Sequence, residues 1–225
     1  MSTTSSKTKT EETELRPSRK TQLRNIISDL TQGLSVTDLR FDLIYPEAIR
    51  RLSEIHWTPV EVARRAAELL HVGPKTHVLD IGSGPGKFCM VAALTTNGKF
   101  TGVEQRPDLA KMARNVARHY KIPRVSFIPA KMEEIDWSRF TGFYLYNPFI
   151  ETLYEEDARI DGHVDFGQIR YIKQVRFVQR KLVVLPIGTR IVTFHGFGGE
   201  MAPGYEITCR ERWGEDYIVQ WERVF

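Results

Sequence analysis

Three short stretches combine residue types that could do chemistry. The first is Val78-Leu79-Asp80-Ile81-Gly82-Ser83-Gly84-Pro85-Gly86. Glycines at alternate positions let the backbone turn tightly and admit a ligand against main-chain atoms, with no Cβ in the way. Asp80 would repel a pyrophosphate but suits an ammonium group. The second stretch, Gly102-Val103-Glu104, ends on a carboxylate able to accept two hydrogen bonds from a ribose diol. The two acids together fit a nucleoside that carries a cationic amino-acid portion. A dinucleotide fingerprint of the G-x-G-x-x-G type would want glycine at position 87, where the sequence has Lys87. The third stretch is Tyr146-Asn147-Pro148-Phe149. The Asn147 side-chain and Pro148 backbone carbonyls could accept hydrogen bonds from an amine or amide and aim its lone pair, with Phe149 packed beside them. An Asn-Pro after a strand is equally an ordinary turn signal.

The elements that must hold these stretches follow from the hydrophobic pattern. His77–Ile81 reads as a buried strand, followed by the glycine turn and an apolar helix over Phe88–Thr95. Phe100–Glu104 is the next strand, and Leu109, Met112, Ala113, Val116, Ala117 and Tyr120 trace one helical face. Val125–Ile128 and Gly142–Tyr146 are further strands, then comes a helix over Phe166–Leu182 and a strand over Thr189–His195. This alternation predicts an α/β fold: a doubly wound, mostly parallel seven-stranded sheet with helices on both faces. Tyr205–Trp213 and Tyr217–Val224 are separated only by Gly214-Glu215-Asp216, so the sheet is expected to end in an antiparallel hairpin. Ligands of such sheets bind at the carboxyl ends of the strands, where all three stretches fall.

Two amphipathic stretches come earlier, one with Leu23, Ile26, Ile27, Leu30 and Leu34, the other with Ile49, Leu52 and Ile55. Thr58-Pro59-Val60-Glu61 is a helix start, with Thr58 as cap, Pro59 in the first turn and Glu61 completing a capping box. Val62, Ala66, Leu69 and Leu70 form the buried stripe of that helix.

At this point the residues resemble a known family. Asp80 to Gly86 looks like the first motif of class I (seven-strand) S-adenosylmethionine-dependent methyltransferases. Gly102-Val103-Glu104 resembles their acidic second-strand motif, and Tyr146-Asn147-Pro148-Phe149 the motif ending their fourth strand. The resemblance covers residues 58–225 and implies S-adenosyl-L-methionine as cofactor. Gly82, Ser83, Gly84 and Gly86 would cradle its methionine moiety, Asp80 its ammonium and Glu104 its ribose, with Gln105, Met132 and Thr58 completing the cofactor site. Asn147, Pro148 and Phe149 would position the acceptor. The family often has an acid just after the third strand; here Lys131 stands near that place, leaving the adenine contact to backbone groups or Met132. Members that methylate amide or base nitrogens commonly show Asn/Asp-Pro-Pro-aromatic, whereas this chain has one proline, which argues against a flipped base or glutamine. Thr58-Pro59, the Asn-Pro-Phe motif, Leu185 to Arg190 and Trp221 look similar to compact protein-lysine methyltransferases. The implied reaction is N-methylation of a protein side chain, lysine favoured. The alternatives are a nucleic-acid or small-molecule acceptor, an NAD-dependent oxidoreductase, or a non-catalytic scaffold of the same fold.

Composition narrows the classes. The chain has 225 residues, 41% hydrophobic and 27% charged, and a mean hydropathy of −0.33. That excludes a wholly disordered chain, and no window approaches the ~20 apolar residues of a membrane span. Cys89 and Cys209 are far apart and lack ligand-spaced neighbours, so no disulfide framework or metal site is expected and a reducing, cytoplasmic location is. Residues 1–20 are Ser/Thr-rich and hold half of the net charge of +4, which reads as a disordered tail ahead of a helical preface over 21–57. With the tail set aside, the body is nearly charge-balanced, which weighs against a broad nucleic-acid face. Trp57 reads as core rather than as a cation clamp. His195 could line the acceptor pocket as a proton acceptor, although its Gly-rich context reads first as a flexible loop.

Overall fold

The sequence alternates so strongly from residue 77 onward because each strand must bury both of its faces. In the computed structural model, which describes residues 19–162 and 164–225, seven strands form one sheet. In chain order the longer elements are α1 (Arg19–Thr31), α2 (Asp38–Phe41), α3 (Glu47–Arg50), α4 (Ser53–His56), α5 (Val60–Leu70), β1 (His77–Ile81), α6 (Lys87–Thr95) and β2 (Lys99–Glu104). Then follow α7 (Pro107–His119), β3 (Val125–Pro129), β4 (Gly142–Tyr146), α8 (Gln168–Val183), β5 (Arg190–Phe194), β6 (Tyr205–Trp213) and β7 (Asp216–Arg223).

The strand order is β3-β2-β1-β4-β5-β7-β6. The first five are parallel, and β7 enters antiparallel between β5 and β6, with Phe194 opposite Ile218. The predicted architecture is therefore the observed one. Successive side chains leave a strand on opposite faces, and the core divides accordingly. Val78, Phe100, Tyr144 and Val192 join the cluster beneath α1, α5, α6 and α7. Leu79, Phe143, Leu145 and Ile191 join the cluster beneath α8. Strand β1 lies between β2 and β4, so the chain reverses direction across the sheet there, and a crevice opens beyond the carboxyl ends of β1 and β4.

The preface differs from its expectation. Helix α1 begins at Arg19, inside the segment expected to be tail; the rest of that segment, residues 1–18, lies outside the described residues. Ile26 and Leu30 are buried as the periodicity predicts, but Leu34 lies beyond the helix and is exposed. The stretch after Pro46 is two single turns, α3 and α4, with Ile55 exposed. Thr58 does not cap α5. Its hydroxyl shares a 3.2 Å hydrogen bond with that of Tyr144, while the Val60 N–H is capped by Asp38 Oδ1 at 2.9 Å. Glu61 accepts from Ser35 Oγ instead of closing a capping box. The cap thus comes from the preceding segment, through Asp38.

Candidate active site

The glycine turn is built by backbone geometry that a side chain would block. Gly82, Gly84 and Gly86 have φ of +74°, +52° and +84°. The N–H groups of Gly82 and Ser83 donate to Val103 O at 2.9 and 3.0 Å, which ties the turn to the end of β2. A Cβ on Gly84 would come within 2.5 Å of the Trp57 ring, and one on Gly86 within 2.5 Å of Phe127. Gly82 and Ser83 line a cavity of about 380 Å³ at the crevice, within the range of small-molecule sites. Gly84 and Gly86 do not line it; they make room for Trp57 and Phe127.

The two strand-end acids both face this cavity. Burial pushes the Asp80 carboxyl up to about 7; the Cys89 thiol, donating at 3.5 Å, opposes the rise and the Glu104 charge adds to it. Glu104 is also raised by burial, against the hydrogen bonds it accepts from Arg106 N at 2.8 Å and Gly84 N at 3.0 Å. Glu104 therefore bridges the turns after β1 and β2. Gln105 and Met132 line the cavity as well, and the Met132 carbonyl accepts from Trp137 Nε1 at 3.1 Å.

Lys87, which breaks the dinucleotide spacing, has a definite task. Its side chain is 2% exposed, and Nζ lies 2.7 Å from Asp38, 2.8 Å from Asp42 and 3.1 Å from Ser53 Oγ. The first residue of α6 thus fastens the preface to the core and brings His56, Trp57 and Thr58 to the cavity wall. Asp38 serves both Lys87 and the start of α5. Trp57 is buried as expected and lies against the glycine turn, held by a 3.1 Å hydrogen bond from Nε1 to Ile49 O.

Asn147, Pro148 and Phe149 all reach the cavity. Asn147 has φ +35°, and its N–H donates to Gly196 O at 3.0 Å, so the turns after β4 and β5 are joined. Asn147 Oδ1 is buried with no hydrogen-bond partner among the described residues, as are Ser83 Oγ, His56 Nε2 and Gln174 Oε1, all from cavity-lining residues. Buried polar atoms left unpaired cost about 1–3 kcal/mol each, so four around one cavity indicate a ligand site. Phe149 also belongs to the apolar cluster beneath α8.

The segment between β4 and α8 covers the cavity mouth with Glu151, Tyr154, Ile160 and Val164. Buried Arg106 holds it, donating to Glu151 Oε1 at 2.8 Å and Asp161 Oδ2 at 3.0 Å. Sequence reasoning missed Arg106, Glu151, His56, Tyr154 and Gln174. The one available signal was Arg106, a cation directly beyond the strand-end acid.

Residues 73–145, from before β1 to within β4, match a family model described as a methyltransferase domain. A comparison with curated protein sequences gives no match. Among solved structures, the chain is similar to an RNA methyltransferase from Salinibacter ruber in complex with S-adenosyl-L-homocysteine. That match has 25% identity and a TM-score of 0.54, and covers 74% of this chain and 93% of that one. TrmN from Thermus thermophilus shares the fold at 15% identity and a TM-score of 0.56, over 77% of this chain and 52% of that one. A mutant of MtNAS in complex with S-adenosylmethionine shares it at 15% identity and a TM-score of 0.52, over 92% of this chain and 76% of that one. Strand order and the glycine turn with its strand-end acids agree with the methyltransferase-domain match over residues 73–145, and the chain is similar in fold to methyltransferases.

Proposed function

We propose that the chain methylates a nitrogen acceptor, a protein side-chain amine with lysine favoured. The observation that carries this reading is Asn147 Oδ1, a buried acceptor without a donor, on the cavity that Asp80 and Glu104 also face. The cavity fits the cofactor: a side-chain-free turn at Gly82, the unpaired Ser83 hydroxyl and two buried carboxyls line it. In this reading Gly82 and Ser83 hold the methionine portion, with Gly84 and Gly86 shaping the turn behind them. Asp80 takes the ammonium and Glu104 the ribose hydroxyls. Gln105, Met132 and Thr58 complete the enclosure. When bound, S-adenosylmethionine supplies an electrophilic methyl group on a sulfonium.

The protein's own residues then have positioning work, the main source of rate in such a transfer. Asn147 Oδ1 and the Pro148 carbonyl accept the acceptor's N–H groups and so orient its lone pair, with Phe149 packed beneath. Trp57, Tyr146 and Tyr154 supply aromatic walls that exclude water and tolerate an ammonium. Burial holds the Tyr146 phenol above its ordinary value, and the nearby Tyr154, Asp216 and Asp38 add to it.

One observation favours a second reading, an RNA acceptor: the similar Salinibacter ruber protein is described as an RNA methyltransferase. Tritiated methyl transfer into cell-lysate fractions, treated separately with protease and nuclease, tells the readings apart. Label lost to protease and recovered as methyl-lysine is the expected result. Label lost to nuclease replaces the protein acceptor with RNA, and thermal stabilisation by NAD but not by S-adenosylhomocysteine overturns both. Two free cysteines, Cys89 and Cys209, fit the cytoplasmic setting this reading assumes.

A further inference from the structure

His195 is the first residue after β5 and sits in the left-handed region at φ +57°, a conformation that non-glycine residues adopt only when their surroundings enforce it. Three contacts enforce it. Its Nδ1 pairs with Asp216 Oδ2. Its ring packs between Phe194, with centroids 4.2 Å apart, and Tyr146, at 5.3 Å. The next residue, Gly196, accepts the Asn147 N–H through its carbonyl at 3.0 Å. The loop expected to be flexible is thus fixed, and it delivers an imidazole to the same cavity as Asn147. Asp216 is fixed too: Oδ1 accepts from Tyr217 N at 2.7 Å, leaving Oδ2 for the imidazole.

We infer that His195 is the proton acceptor for the methyl-accepting nitrogen, and that Asp216, at the start of β7, is the positioning residue that prepares it. The inference rests on the amine reading above, since an ammonium has no lone pair to offer until it loses a proton. A carboxylate on Nδ1 fixes the tautomer with hydrogen on Nδ1 and the lone pair on Nε2. In the step, one N–H bond of the acceptor breaks and an Nε2–H bond forms. The nitrogen keeps the electron pair, which would then form the new N–C bond as the donor's S–CH3 bond breaks, that bond's electron pair leaving with the neutral thioether. The charge on the imidazolium is balanced by Asp216. His56 also lines the cavity with a bare Nε2, but burial lowers its basicity, the nearby Glu151 charge opposing this only in part and Arg106 adding to it.

The test combines a spectroscopic and a kinetic readout on the full chain. Long-range 1H–15N spectra of the imidazoles at pH 8.5 are expected to show His195 as the Nδ1–H tautomer. In Asp216→Asn, where the amide oxygen still takes the Tyr217 N–H, the tautomer is expected to reverse. Kinetics use the lysate protein fraction that the wild type labels. His195→Ala is expected to lower kcat about 100-fold or more, with S-adenosylhomocysteine affinity by calorimetry unchanged and partial rescue by added imidazole. Asp216→Asn is expected to lower kcat in the same direction without changing that affinity. A wild type that labels no protein fraction overturns the amine reading. A wild type that labels protein, with His195→Ala equally fast or His195 found as the Nε2–H tautomer, overturns the present inference alone.

Discussion

Asp80 shows how one buried carboxyl can report on the site. Its ordinary value is 3.8, and burial carries it to about 7 in the ligand-free protein. A group whose folded value exceeds its unfolded one contributes stability below the unfolded value and loses it as pH rises through the folded one. The free protein is therefore expected to lose stability as pH rises from about 4 to about 7, and Asp80→Asn to flatten that slope. A ligand ammonium reverses the balance, because it favours the charged carboxylate. Affinity for S-adenosylhomocysteine should rise toward pH 7, by at most about tenfold per unit, with one proton released on binding below that point. Calorimetry at pH 5.5 and 7 in buffers of different ionisation enthalpy measures both. A flat affinity with no buffer dependence would remove Asp80 from the ammonium site. The residue types at this scale were legible in the sequence: Asp80, Glu104 and Asn147 could be picked out by type and spacing. Their partners were not, since the Cys89 thiol and the Gly84 N–H meet these acids only through the packing of a turn and a helix.

At the scale of elements, the parallel strands could be read because they are runs of five or six residues with apolar, β-branched or aromatic centres, and the closing hairpin because only a short Gly-containing turn separates its two strands. The preface could not. Helices α2, α3 and α4 are single turns of four residues, too short to show a period. What holds them is Lys87, whose acidic partners lie 45 and 49 positions earlier in the chain. Nothing local marks such a lysine as buried. Lys87→Met leaves Asp42, and in part Asp38, buried without a counter-charge, a change that typically costs about 3–5 kcal/mol. Chemical denaturation should show that loss, and limited proteolysis should gain cuts between residues 31 and 57. Adding Asp42→Asn should recover part of it. If Lys87→Met melts like the wild type, the preface is held by its apolar contacts alone.

For the molecule as a whole, the cavity is enclosed by parts of very different origin in the chain. The preface supplies Trp57, the segment after β4 supplies Glu151 and Tyr154, and Arg106 clamps that segment from the end of β2. No helix among the described residues is long and apolar enough to cross a membrane. A ligand that contacts all these walls should slow their opening together. At a hundredfold excess over Kd, S-adenosylhomocysteine is expected to stabilise the fold by about 2.7 kcal/mol. Amide hydrogen exchange should then fall in residues 47–58 and 150–162 as well as in the glycine turn. Protection confined to the turn would show that the two covers open independently of the cofactor.

The contact between Gly84 and Trp57 constrains how such a chain can change over generations. The indole occupies the volume that a side chain at position 84 would claim, approaching to 2.5 Å of where its first carbon would stand. Two positions 27 residues apart thus share one space. A preface exchanged for another that carries a bulky ring at position 57 is compatible only with glycine at 84, whose φ of +52° would strain a side chain even beside a small residue at 57. Turn and cover are therefore inherited as a pair, and new acceptor specificities in this scaffold are more readily found by altering the segment after Phe149, which bears no such debt to the turn.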